Sequence, residues 1–171
     1  SLVVSNMAQA AAKAIGANAL LARVGAYYHD IGKAPNAVYF KENQSNDTNP
    51  HDFISPVISA KILKDHVNEG IALADKYNLP DEVSDFICTH HGTSEITFFK
   101  VKAEEAGYHG DEDFHYTGRI PVTKETSIVM LADSCEAAAR SLDEPTPENI
   151  AKTVEAIFKK KISEKQLIKS A

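Results

Sequence analysis

The 171-residue chain is 43% apolar and 25% charged, has no Trp and carries a net charge of −6, which fits one compact globular domain and excludes a coat for nucleic-acid polymers. No apolar run approaches the roughly 20 residues that span a bilayer, and no signal-peptide pattern is present. Cys88 and Cys135 sit inside apolar helical patterns and suggest a reducing compartment rather than a disulfide framework.

The pattern is helical almost throughout. Leu2 to Ile15 is Ala-rich, with Gly16 as a natural stop. Asn18 can cap a helix that runs through Leu20, Leu21, Val24 and Tyr28 to about Ile31, where Gly32 would end it. From Lys33 to Phe53 no period holds, so a long loop is expected there; loops of that length in compact domains are usually functional or disordered. Ser55-Pro56 then opens a helix to Gly70, followed by a short one to Tyr77. Pro80-Asp81-Glu82 starts another that closes at His90-His91-Gly92. Ser94 to Ala106 reads as helix, and Gly107 to Val122 as a polar, irregular stretch able to hold a small hairpin or lid. Lys124 to Leu142 is a strong helix, and Thr146-Pro147 caps a last one through Phe158. The tail from Glu148 to Ala171 carries six Lys against three Glu, so the acidic body would need cations of its own to hold an anionic substrate. The reading is one all-α domain over residues 1–171. Its opening inside a helical pattern at Ser1, and its end in the amphipathic stretch 164–171, read as a fragment of a larger protein.

Six residues invite metal chemistry. Asp133 shares a helix face with Val129, Met130 and Ala137; a carboxylate there is costly unless a cation or donors meet it, although the polar edge of an amphipathic helix would also explain it. His66 follows Ile58, Ser59, Ile62 and Leu63 at helical spacing, on the buried-looking face. A satisfied core histidine would account for it alone. His90 and His91 close a helix, where neighbours point about 100° apart, so both reach one metal only if the helix end unwinds. His29-Asp30 ends an apolar helix. Adjacent imidazole and carboxylate can bind one metal while the second carboxylate oxygen reaches another, and two cations ~3.5–4 Å apart can clamp both oxygens of a phosphoryl transfer.

In this order, His29-Asp30, His66, His90-His91 and Asp133 resemble the metal-ligand series of the HD superfamily. His29-Asp30-Ile31-Gly32-Lys33, Glu42-Asn43-Gln44, Asn49-Pro50-His51-Asp52 and His90-His91-Gly92-Thr93 are similar to one branch of it, the seven-transmembrane HD receptors or PgpH-type cyclic di-AMP phosphodiesterases. The resemblance covers nearly the whole chain. It implies an all-helical cytoplasmic domain of an integral membrane protein, two divalent transition metals (iron or manganese), and hydrolysis of cyclic di-AMP to linear pApA by a metal-activated hydroxide. It also implies that His29, Asp30 and Asp133 hold one metal, and that His66, His90 and His91 complete the second, with Asp30 shared. Lys33 would sit near the scissile phosphate. Asn43 and Thr93 would contact substrate, and Arg140, on the face of Asp133, would either meet a phosphate or pair with Glu136. The expected partner is a cyclic dinucleotide, with a homodimer as one option for assembly and any membrane attachment through parent segments.

Two departures from the family pattern stand out. The family has one more His on the first helix, whereas no His precedes His29; the spacing would put it just upstream of Ser1. Gly92-Thr93-Ser94 follows His91 in place of the Gly-Tyr-Pro signature of the cyclic di-GMP branch, which argues against that substrate. Rival readings are an HD hydrolase of a nucleoside phosphate or guanosine alarmone, and a degenerate module that senses a nucleotide without turnover. His51 is expected to structure the long loop, and His109 and His115 to be solvated or lid residues.

Overall fold

The computed structural model describes residues 1–44 and 48–167. Seven α-helices follow one another: α1 (Leu2–Ala14), α2 (Ala19–Tyr28), α3 (Pro56–Lys76), α4 (Asp81–Thr89), α5 (Thr97–Glu105), α6 (Lys124–Arg140) and α7 (Pro147–Ser163). Cap chemistry sets most of their starts. The side chains of Asn18, Ser55 and Thr146 accept from the backbone N–H three residues on, and Thr123 forms a reciprocal capping box with Thr126. Among the described residues no strand forms, and the one β-bridge is isolated, between Glu95 and His115.

Two apolar clusters hold the helices. The larger joins Val4, Ala8 and Ala12 of α1, Ala22 and Ala26 of α2, Phe86 of α4, and Ile128, Val129 and Ala132 of α6. Its alanines let helix axes approach closely, and a buried large side chain such as Phe86 then stabilises by ~1.5–3 kcal/mol. Phe86 lies flat over Gly25, where any Cβ would run into the ring. The smaller cluster gathers Ala60 of α3, Ile96, Phe99 and Ala103 around α5, and Phe114.

Several expected boundaries move, for tertiary reasons. Gly32 does not end α2, which stops at Tyr28; it lies in a 3₁₀ segment, Ile31–Tyr39. Gly70 does not break α3, which runs on to Lys76. Both glycines serve one close approach: a Cβ on Gly32 would overlap the His66 carbonyl and the backbone of Gly70. The expected loop after residue 33 is built from 3₁₀ turns, Ile31–Tyr39, Lys41–Asn43 and Pro50–Phe53; residues 45–47 of it lie outside the described residues, as do residues 168–171 of the tail. α5 starts at Thr97 rather than Ser94, because Ser94–Ile96 pairs with Phe114–Tyr116 instead: Ile96 N–H donates to Phe114 at 2.7 Å and Tyr116 N–H to Ser94 at 3.0 Å.

Candidate metal centre

The crossing of α2, α3, α4 and α6 brings the C-terminal ends of α2 and α4 against the middles of α3 and α6. Phe86 on Gly25 draws α4 against α2 and sets His90 beside His29, ring centroids 5.0 Å apart. The Gly32–Gly70 contact draws the turn after α2 against α3, which sets Asp30 beside His66. α6 packs on α1, α2 and α4 and supplies Asp133.

All six expected ligands meet there, in two groups that share one carboxylate. His29, Asp30 and Asp133 form the first; Asp30, His66, His90 and His91 form the second; within each, the donor atoms lie within 4.8 Å of one another. His29 Nε2 is 3.2 Å from Asp30 Oδ2 and 3.3 Å from Asp133 Oδ1. Asp30 Oδ1 faces the other way, 3.6 Å from His66 Nε2 and 3.5 Å from His90 Nε2. The helix end at His90 does unwind, because α4 stops at Thr89 and Gly92 takes a φ of +56°. His91 therefore turns in beside His90, with their ring centroids 4.1 Å apart.

Three imidazoles are oriented alike by their own helices. Nδ1 of His29 lies 2.7 Å from the Ala26 carbonyl, that of His66 2.5 Å from Leu63, and that of His90 2.9 Å from Ile87. A backbone acceptor three residues back selects the Nδ1–H tautomer of the neutral ring and leaves Nε2 as the atom aimed at the centre.

These donors fit a divalent metal. His66 Nε2 and His90 Nε2 face each other at 3.1 Å, and with both Nδ1 atoms donating to carbonyls the two lone pairs oppose unless a cation lies between them. Asp30 Oδ1 is buried without a hydrogen-bond partner, the kind of orphan that a buried carboxylate does not keep without compensation.

The charges divide as the geometry does. Burial works against a proton on His29, but Asp30 and Asp133 outweigh it and push its pKa up to about 10. Burial likewise opposes charge on Asp30 and Asp133, and His29 overcomes it, holding both below the usual carboxylate range. In the second group burial dominates, seconded by His90, and draws His66 down to about 3 and His91 well below its ordinary value. Without metal, one half holds an ion-paired imidazolium and the other keeps His66 and His91 neutral.

A cleft of about 520 Å³ opens above the cage, lined by Lys33, Tyr39, Phe40, Phe98, Tyr116 and Arg140 among others. Lys33 Nζ donates to Asp30 Oδ2 at 2.7 Å and Glu42 Oε1 at 2.6 Å and lies 5.1 Å over the Phe40 ring. Burial disfavours its charge, yet the two carboxylates raise its pKa, so it stays an ammonium. Arg140 reaches the cleft wall and keeps a loose 3.6 Å contact with Glu136. Asn43 opens on a neighbouring shallow pocket with Asp30 and Lys33.

Thr93 does not join the cage cleft. Its N–H and hydroxyl are both engaged by Gln166, and it borders a separate polar pocket. His51 does structure its loop, with Nε2 2.8 Å from the Tyr39 carbonyl. His109 is exposed, and His115 pairs with Asp113 at 2.7 Å near the surface.

Sequence reasoning missed Tyr116. Its ring stacks on His91, centroids 4.2 Å apart at 18°, and it separates the cage cleft from the polar pocket. Burial, then Asp133 and Asp30, raise its phenol pKa. The alternation Phe114-His115-Tyr116 was the available signal: a period of two inside a stretch read as irregular.

Fold and donor set together define an all-helical domain built around a His/Asp cage that could hold metal ions. The chain belongs to the HD domain family, which matches residues 1–138. It is 47% identical over 97% of its length to the cyclic-di-AMP phosphodiesterase PgpH of Bacillus subtilis, and 42% identical over 93% to that of Listeria monocytogenes. It covers 24% and 22% of those proteins, so the chain spans about a quarter of the length of these relatives. The crystal structure of the L. monocytogenes PgpH HD domain in complex with cyclic-di-AMP superposes with a TM-score of 0.94 at 39% identity, covering 98% of this chain and 79% of that one.

Proposed function

We propose that this domain hydrolyses cyclic di-AMP to linear pApA with two divalent transition metals, iron or manganese, held by His29, Asp30 and Asp133 on one side and His66, His90 and His91 on the other, Asp30 being shared. The observation that carries the reading is two donor groups meeting at one carboxylate on the floor of a cleft. The likeness to an HD domain crystallised with cyclic-di-AMP supports the substrate. Bound in such a cage, metals supply Lewis acidity and lower the pKa of a coordinated water.

The chain's own groups do the rest. The Nδ1-anchored rings of His66 and His90 are preorganised, so little reorganisation of them accompanies metal binding. Lys33 presents a permanent ammonium at the edge of the cage, where it offsets charge growing on the phosphate and hydrogen-bonds the departing 3′ oxygen. In the net reaction water's oxygen bonds to phosphorus, the P–O3′ bond breaks, and the 3′ oxygen leaves as a hydroxyl. Tyr39, Phe40 and Phe98 give the cleft apolar faces against which purine rings can lie, and Arg140 at its wall and Asn43 in the adjoining pocket can meet phosphate or base edges.

We also propose that this HD unit is one domain of a longer protein, membrane-anchored and with this domain on the cytoplasmic side. The length of the relatives supports the first part, and the resemblance to the seven-transmembrane branch supports the second. Among the described residues no helix is long and apolar enough to cross a membrane.

The test is direct. Manganese-loaded domain is incubated with cyclic di-AMP, a nucleoside triphosphate and a guanosine alarmone, and the products are separated by chromatography. The expected result is pApA with a marked preference for the cyclic dinucleotide; turnover of the others alone overturns the substrate assignment.

A further inference from the structure

α7 lies beyond the residues that the HD family matches, yet its end closes on the turn that carries His90 and His91. Gln166, 3% exposed, accepts from Thr93 N–H at 3.0 Å and donates from Nε2 to Thr93 Oγ1 at 3.0 Å. It also fills the space beside Gly92, where a Cβ would meet Gln166 Oε1. Lys161, 7% exposed, donates to Ser94 Oγ at 2.8 Å. Three consecutive residues after His91 are thus held from behind by one short segment. Lys165 between them adopts a φ of +58°, the left-handed region that a lysine enters at a cost, and this reversal ends α7 and precedes Gln166.

Burying a lysine head and a glutamine amide is unfavourable unless hydrogen bonds compensate, and here those bonds all go to Thr93 and Ser94 or to the segment's own backbone. The grip is local. It engages the Thr93 N–H, the hydroxyls of Thr93 and Ser94 and the space beside Gly92, while the His91 ring is stacked on Tyr116. We infer that Gln166 and Lys161 are positioning residues for the imidazole half of the cage: they hold the turn after α4 unwound, so that His90 and His91 face the same point. This rests on reading His66, His90 and His91 as metal ligands.

The test titrates the metal-free chain with manganese, following free ion by paramagnetic resonance, alongside thermal denaturation without metal. In Gln166→Leu one of the two binding steps should weaken by about 10- to 100-fold, the usual effect of losing an outer support of a ligand, with the other step unchanged. Gln166→Glu, which keeps the acceptor for Thr93 N–H, should restore most of that loss. Unchanged binding in Gln166→Leu, or equal weakening of both steps as in general loosening, overturns the inference. If the unaltered chain binds no manganese, the metal reading itself falls and this one with it. Should Gln166→Leu fail to fold, Thr93→Val removes the hydroxyl partner alone and should weaken the same step about fivefold; no change there overturns the inference as well.

Discussion

The two halves of the cage solve the same problem with opposite electrostatics. Around His29 the donors are charged: an imidazolium between two carboxylates, with Lys33 sharing Asp30 Oδ2. Around His66, His90 and His91 burial keeps His66 and His91 neutral, and backbone carbonyls rather than counter-charges aim the rings of His66 and His90. One half is held together by ion pairing that a metal must displace; the other is preshaped by packing and leaves its lone pairs unused. Asp30 belongs to both, with Oδ2 toward His29 and Oδ1 toward His66 and His90. The contrast suggests that the neutral half contributes geometry and the charged half contributes attraction.

Asp30→Ala probes the shared atom pair and should have the largest effect, loss of both metals per chain as counted by plasma mass spectrometry after manganese loading. His66→Ala should leave one, and equal losses in the two variants would break the asymmetry. Lys33→Ala comes next. It leaves both donor groups intact, so metal content should hold while kcat falls about 10²-fold, the scale for removing one preorganised donor to a transition-state charge.

A pH series sharpens the contrast without any substitution. His29 binds its proton more tightly folded, at about 10, than at its ordinary 6.5; its contribution to stability is complete below 6.5 and is lost as pH climbs toward 10. His66 is drawn down to about 3, so the unfolded chain takes the proton first, and its contribution is complete above 6.5 and is lost as pH falls toward 3. The metal-free domain should have its highest Tm near pH 6.5 and lose stability on both sides. A Tm that keeps rising from pH 6.5 to 9 would contradict the ion-paired half. The smallest effect should come from the cleft margin: Arg140→Ala is expected to raise KM about fivefold with kcat unchanged, as for loss of uniform binding.

What the sequence made legible was whatever depends on neighbours along the chain. Asn18, Ser55-Pro56 and Thr146-Pro147 mark helix starts because a cap bonds the N–H three residues on, and those starts appear where expected. The six donors were legible through residue type, order and helical phase. Gly32 and Gly70 misled for the opposite reason: each looks like a local stop, but what requires a missing Cβ is a contact across 38 positions of chain. Tyr116 was hidden because its partner His91 belongs to another segment. Lys161 reads only as one of six lysines in the tail, whereas its head is buried against Ser94, and burial lowers its pKa. The burial of Lys161 has no signature in nearby residues, whereas Tyr116 had only the short Phe114-His115-Tyr116 alternation.

The Gly32–Gly70 contact has a consequence for how the cage can vary. Main chain meets main chain there: a Cβ on Gly70 would lie 3.3 Å from Gly32 N and 3.5 Å from Gly32 Cα. The reach from the turn bearing Asp30 to the helix bearing His66 is therefore set by atoms common to every residue type. Substitution at either glycine can only widen that reach, never shorten it. Accommodation of ions of different radius must then come from the rotamers of the donors, because the frame that spaces them has no side chain left to trim.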